Sequence, residues 1–179
     1  MENDVETISK TYNDKGGFNE AFDAMLQFQL LHNKQTDDFK FLLSVTEANR
    51  ADDEKFKTMV RACLKSFLNI LEADLYFLNK LDAYPNYEDR NDFISKFKKT
   101  FKQVTSTWER EKIYNEYRDK EFEVLLKVKD VRDKLIHPKS LLDVVNIGEQ
   151  DYKDVIQAFE AYQKFLLKLV SNFFIKGPL

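Results

Sequence analysis

Glycine and proline are scarce in this chain, four and three residues among 179. That is too few for the turn-rich connections of a β-sandwich. Gly16 and Gly17 are adjacent, Gly148 stands alone and Gly177 lies near the end, so no spacing among them forms a P-loop or a dinucleotide fingerprint. Cys63 is the only cysteine. It excludes an intramolecular disulfide and every multi-thiolate metal site, and fits a reducing compartment. There are two histidines; His32 lies near Asp37 and Asp38 but has no helix-spaced partner set, so neither a metal nor a cofactor is expected and His32 reads as an exposed helix residue. A large charge of one sign is also missing: 28 basic against 31 acidic side chains leave −3. Attraction to nucleic acid or to an anionic membrane therefore needs a local patch. The most apolar stretch, residues 165–175, is interrupted by Lys168, Ser171 and Asn172 and is too short to cross a bilayer. Met1-Glu2-Asn3-Asp4 is acidic where a secretory signal is basic. The expectation is a cytoplasmic protein without a membrane partner.

What is abundant is apolar side chain at helical spacing, 43% of the chain being hydrophobic and 14% aromatic, enough for one sizeable core. Residues 1–17 are polar and read as a flexible tail. Residues 18–50 carry Phe18, Phe22, Met25, Leu26 and Leu30, then, after Thr36 as an N-cap candidate, Phe39, Leu42 and Leu43. Two helices, or one bent one, fit this N-terminal extension. Asp52 or Asp53 can cap the next helix, whose stripe runs from Phe56 through Met59, Val60, Cys63, Leu64, Phe67, Leu71 and Leu75 to Leu78, broadened by Leu68, Ile70 and Phe77, and should be central; Cys63 on that stripe reads as a small buried hydrophobe. Tyr84-Pro85-Asn86 stops it, and Asn86 with Asp89 can start a further helix bearing Phe93, Phe97, Phe101 and Val104. Lys96, Lys98, Lys99 and Lys102 form the solvated face of that helix, with RNA backbone binding as the alternative role. Residues 108–136 contain neither Gly nor Pro and read as one long helix; Asp151 can cap a last one carrying Val155, Phe159, Tyr162, Leu166 and Phe173. The excess of Phe in that last helix fits a dimer interface. The fold expected is all-α: an up-and-down antiparallel helical bundle of about four main helices over residues 51–176, plus N-terminal helices.

One segment carries chemistry beyond patterning: Arg132-Asp133-Lys134-Leu135-Ile136-His137-Pro138-Lys139-Ser140. Pro138 disfavours helical backbone at His137 and donates no ladder bond, so the helix ends there. Five residues separate Arg132 from His137 by roughly 7.5 Å along the axis, on neighbouring faces, a gap an Arg side chain closes. The pair can grip one anionic ligand, with a permanent five-donor cation beside an imidazole able to act as general base or general acid. A planar guanidinium suits charge growing on a phosphoryl oxygen. The chemistry that matches is metal-independent phosphodiester cleavage by an internal nucleophile, the 2′-hydroxyl of RNA. The bland reading of the same residues is a helix C-cap with a surface cation.

At these residues the chain resembles the HEPN superfamily, whose signature is an Arg, commonly followed by Asn, Asp or His, and a His four to six residues beyond the Arg. Arg132, Asp133 and His137 fit it, the trailing Pro138-Lys139-Ser140 is similar to many members, and residues 61–73 resemble the helix that packs against the motif helix. The resemblance implies a HEPN-like bundle that forms a homodimer with two motif copies in one cleft, and, in many members, endoribonuclease activity of toxin or phage-defence type. It implies Arg132 and His137 as the catalytic pair, Asp133 as the orienting residue, Lys134, Lys139 and Ser140 as RNA or ligand contacts, and Glu72 as a supporting partner of Arg132. It also implies partners such as a cognate antitoxin or a nucleotidyltransferase. The alternative is a non-catalytic dimer that binds a nucleotide, RNA or a protein in the same cleft. Ser140 lacks the context of a nucleophile elbow and reads otherwise as a turn residue.

Overall fold

The computed structural model describes residues 8–171 and 173–177. Among them the chain forms seven helices and one two-stranded sheet: β1 (Ile8–Thr11), α1 (Lys15–Ala48), α2 (Asp53–Leu81), α3 (Phe93–Thr107), α4 (Glu111–Lys120), α5 (Phe122–Ile136), α6 (Leu142–Val145), α7 (Glu149–Val170) and β2 (Phe173–Lys176). The all-helical expectation therefore holds. No helix among the described residues is long and apolar enough to cross a membrane.

The element boundaries follow local chemistry, with two departures from the expected caps, at Thr36 and at Asn86. Asp14 accepts a hydrogen bond from the Gly17 N–H at 2.7 Å and starts α1. Thr36 is not a cap. With no Gly or Pro between residues 18 and 48 to stop it, α1 runs through Thr36 as one 34-residue helix. Asp52 rather than Asp53 begins α2, taking the Lys55 N–H at 3.2 Å. α3 starts at Phe93, not at Asn86: the Asp92 side chain takes the Ser95 N–H at 3.0 Å, while Asn86 holds a φ of 60°, the left-handed backbone Asn tolerates.

The expected long helix over 108–136 is instead broken twice. Trp108 closes α3, Glu109 turns the chain with a φ of 54°, and a second interruption at Glu121 separates α4 from α5. At the first break the reason is tertiary. Trp108 is fully buried, its indole Nε1–H donates to Asp82 Oδ2 at 2.6 Å and its ring stacks on Phe173 at 3.7 Å, while buried Arg110 donates to the carbonyls of Lys168 and Leu169 at 2.7 and 2.8 Å. These contacts outweigh a left-handed non-glycine residue, which costs on the order of 1–3 kcal/mol.

The chain divides into two compact units. One draws on the described part of Met1–Leu31, Glu72–Glu116 and Lys164–Leu179. Its core centres on Phe97, Phe101, Phe165 and Trp108, with Phe101 meeting Phe165 edge-on at 4.8 Å. Residues 8–11, expected within a flexible tail, pair in parallel with Phe173–Lys176, and Lys10 reaches the Asp82 carboxylate and the Leu81 carbonyl. Residues 1–7 of that tail lie outside the described residues.

The other unit comprises His32–Leu71 and Tyr117–Gln163. Its core is a ring cluster: Phe39 lies 4.6 Å from Phe159, and Phe67 meets Phe159 and Tyr162 edge-on. Cys63 is buried beside the Thr46 hydroxyl at 3.3 Å, and Tyr152 donates to the Leu43 carbonyl at 3.1 Å. α1 contributes to both units.

Candidate functional site

The candidate motif lies at the end of α5, in the second unit. Val124, Leu125, Val128 and Leu135 are the buried residues of this helix after Phe122. At 100° per residue Arg132 falls on the same face as Leu125, Val128 and Leu135. Its side chain is accordingly 20% exposed, the stem covered and the guanidinium reaching the neighbouring Asp133 carboxylate at 3.4 Å. Asp133 is held more closely by Lys129, one turn back, at 2.8 Å. The acid therefore sits between two cations, Lys129 one turn back and Arg132 beside it.

His137 is the C-cap, as Pro138 requires. Its backbone turns out of the helix with φ −123° and ψ 60°, its N–H still donates to the Asp133 carbonyl at 2.9 Å, and its side chain is exposed. Pro138, Lys139 and Ser140 are exposed as well. The backbone N–H groups of Lys139 and Ser140 both point to Asp143 Oδ2, at 2.7 and 2.9 Å. These two bonds, led by that from Lys139, hold the Asp143 carboxyl below the usual carboxylate range. Asp143 is a residue that motif reasoning missed, although Ser140-x-x-Asp143 has the spacing at which an acid three residues on satisfies free N–H groups at a helix start.

A second residue missed as a site element is Arg61. From α2 it donates to the Val144 carbonyl at 3.2 Å and to the Thr58 hydroxyl at 2.8 Å, fastening the end of α6. The segment after the motif is thus pinned at both its start and its end. Lys134 lines a cleft of about 200 Å³ with Asp143, Asn146 and Asp151, walled by Val131 and Leu142. Around the loop Ile136, Leu141, Leu142 and Val145 are exposed, Leu141 by 76%. Glu72, expected to support Arg132, is half-buried on α2 and belongs to the first unit.

Chemically, the arrangement offers an accessible imidazole, a guanidinium on the preceding turns of the same helix, and a carboxylate fixing that guanidinium's surroundings. It has the parts needed to bind an oxyanion and exchange a proton with it.

Other residues noted in the sequence have structural roles. His32 is half-buried rather than exposed, its Nε2 lying 3.2 Å from Gln163 Oε1 and 3.4 Å from the Thr36 hydroxyl. Burial pushes the Cys63 thiol pKa up, which suppresses thiolate chemistry. Lys96 does not share the solvated face of α3: it is buried and donates to the Asp89 carbonyl at 2.9 Å, whereas Lys98, Lys99 and Lys102 are exposed. Phe173, expected in the last helix, lies in β2 because α7 stops at Val170. Among the described residues no three His, Cys, Asp or Glu side chains are grouped so as to hold a metal ion. No family model matches the chain, and no match is found among curated proteins or solved structures.

Proposed function

We propose that the chain is a HEPN-type, metal-independent endoribonuclease. The observation that carries this reading is the exposed His137 imidazole at a proline-terminated helix end whose preceding turn holds Arg132 and Asp133. In the proposed reaction His137 takes the proton of a ribose 2′-hydroxyl as its oxygen attacks the adjacent phosphorus, or returns a proton to the departing 5′-oxygen. Arg132 holds the scissile phosphate and stabilises its growing negative charge. Asp133, fixed by Lys129, orients Arg132. Lys134, Lys139 and Ser140 lie along the approach of the RNA. The P–O5′ bond breaks, leaving a 2′,3′-cyclic phosphate on one product and a 5′-hydroxyl on the other.

Within this reading the bundle is up-and-down and HEPN-like, works in the cytoplasm, and pairs with a second copy so that two motifs share one cleft, with an antitoxin or a nucleotidyltransferase as further partner. The exposed Ile136, Leu141, Leu142 and Val145 around the motif favour an interface there. The test is incubation of the purified protein with mixed RNAs in excess chelator. Wild type should produce cyclic-phosphate ends, and His137→Ala and Arg132→Ala should each reduce cleavage by about 10²-fold or more. Cutting that survives both substitutions, or that disappears in chelator, overturns the proposal.

A further inference from the structure

A second surface, in the first unit, has the composition of a nucleic-acid contact. Lys99, Lys102, Gln103 and Ser106 form a stripe along the outer side of α3, opposite buried Phe97, Phe101 and Val104, and with Tyr84 and Pro85 they line a cleft of about 330 Å³. No acid is among the six lining residues. The cleft floor is built: buried Tyr84 accepts a hydrogen bond from Asn91 at 3.0 Å, meets Tyr87 edge-on at 5.4 Å, and carries the Lys99 ammonium over its ring at 5.6 Å.

The same motif recurs beside it. Lys80 lies over the ring of Tyr76 at 5.3 Å, and Tyr76 is 38% exposed. Tyr87 links the two, since its phenol is raised first by burial and by Asp89, and further by the proximity of both Tyr84 and Tyr76. The nearby acids are engaged elsewhere: Asp89 with Tyr87 and Lys96, Glu88 with Arg90. Among the described residues no carboxylate pairs with Lys80, Lys99 or Lys102, so their charge faces solvent uncancelled.

We propose that Lys80, Lys99 and Lys102, set around Tyr76, Tyr84 and Tyr87, bind single-stranded RNA, with phosphates at the ammonium groups and a base against the exposed Tyr76 ring, while buried Tyr84 holds the Lys99 ammonium in place. Point-charge cations with aromatic faces suit a sequence-tolerant strand, in which each phosphate is met loosely and each base offers a π-face. A phosphopeptide site would call for the bidentate fork of arginine, and none lines this cleft. The inference does not rest on cleavage at His137, because binding here needs neither the imidazole nor turnover.

The test uses the full chain carrying His137→Ala, which removes cleavage under the reading above, and a short labelled oligouridylate followed by fluorescence anisotropy in chelator. Affinity should fall steeply between about 50 and 200 mM salt. Lys99→Gln with Lys102→Gln should weaken binding by about tenfold and lower the slope of log affinity against log salt by about 1.4, the loss of two single-strand phosphate contacts. Tyr76→Leu should weaken binding several-fold with the slope unchanged. Binding that is absent at about 50 mM salt, that is indifferent to the lysine pair, or that is outcompeted by a doubly phosphorylated peptide overturns the inference. Failure of the ribonuclease reading looks different: RNA is bound through the lysines and left intact by wild type.

Discussion

Two helix ends, one in each unit, show how similar residues reach opposite fates. At the end of α3, Trp108 and Arg110 are buried and every polar atom described for them finds a protein partner: the indole donates to Asp82 and the guanidinium to two carbonyls of the last turn of α7. At the end of α5, His137 to Ser140 are all exposed, and the loop is tied down by backbone bonds to Asp143 instead. The first end spends its side chains on the fold. The second is held in shape while its side chains remain available, which is the condition for binding something else. In sequence both are an Arg near a helix terminus, so residue type alone does not separate a structural cation from a candidate catalytic one.

The largest effect that tests this contrast is at Trp108. Replacing it with Ala removes a fully buried indole, its bond to Asp82 and its stack on Phe173. The expected cost is about 3–5 kcal/mol, read as a lowered denaturant midpoint. Because Phe173 lies in β2, hydrogen exchange at the β1–β2 pairing should accelerate more than at Phe39 or Phe67. A loss under about 1 kcal/mol would show that the α3 end is no more committed to the fold than the α5 end.

Arg110→Met comes next. It keeps the stem but strands the carbonyls of Lys168 and Leu169, which the guanidinium now serves. About 1.5–3 kcal/mol is expected, the range for hydrogen bonds to a charged group. Burial lowers the Arg110 pKa, yet its usual value lies so far above neutrality that stability should show no step between pH 5 and 9 traceable to it. A variant as stable as wild type would mean that water replaces the guanidinium and that this end, too, is open.

How much of this was legible beforehand depends on whether the cause was local. The stripe of α2 from Phe56 to Leu78 is a matter of spacing: Phe56, Val60, Cys63, Leu64, Phe67, Leu71, Leu75 and Leu78 are buried, whereas Met59 and Phe77, expected with them, are half-buried. The stop of α5 is likewise local, since Pro138 alone enforces it. The break at Trp108 was illegible because its cause is Asp82, Phe173 and two carbonyls near residue 170, all distant in sequence. Lys96 shows the same limit: its neighbours Lys98, Lys99 and Lys102 are exposed, and only the fold of the 82–92 loop brings Asp89 to it. In the candidate site Arg132, Asp133 and His137 stand out by spacing. The burial of the Arg132 stem, by contrast, follows from the face it shares with Val128 and Leu135; Asp143 had a signal in the Ser140-x-x-Asp143 spacing, whereas Arg61 acts through a carbonyl distant in sequence that no pattern around the motif announces.

A smaller effect is expected at Asp143. Its folded carboxyl titrates below its ordinary value because the Lys139 and Ser140 N–H groups bond to the ionised form. A depressed acid stabilises the fold above its unfolded pKa, and that stabilisation is lost as pH falls through the folded value. The melting temperature of Asp143→Ala should therefore lie below that of wild type by a constant small amount from pH 8 to about 5, and the gap should close as pH falls below about 4. The difference belongs in the α5–α6 loop, visible as faster exchange of the Lys139 and Ser140 amides. A gap that widens on acidification would contradict the assigned bonds.

The smallest effect on stability is expected at His137, and it separates the two readings of the motif most sharply. If His137 were retained only to cap α5, its removal would cost about 1 kcal/mol, the scale of a lost terminal interaction. The structure makes the cap with the backbone, however: the His137 N–H donates to the Asp133 carbonyl, a bond that alanine keeps, and Pro138 still ends the helix. The exposed ring adds no buried area. His137→Ala should therefore change stability by less than about 0.5 kcal/mol, within the usual range for surface substitutions, while reducing the cleavage proposed above by about 10²-fold or more. A destabilisation near that of a lost cap, with RNA left intact by wild type and variant alike, would make the imidazole a structural residue and place the α5 end in the same class as Trp108 and Arg110.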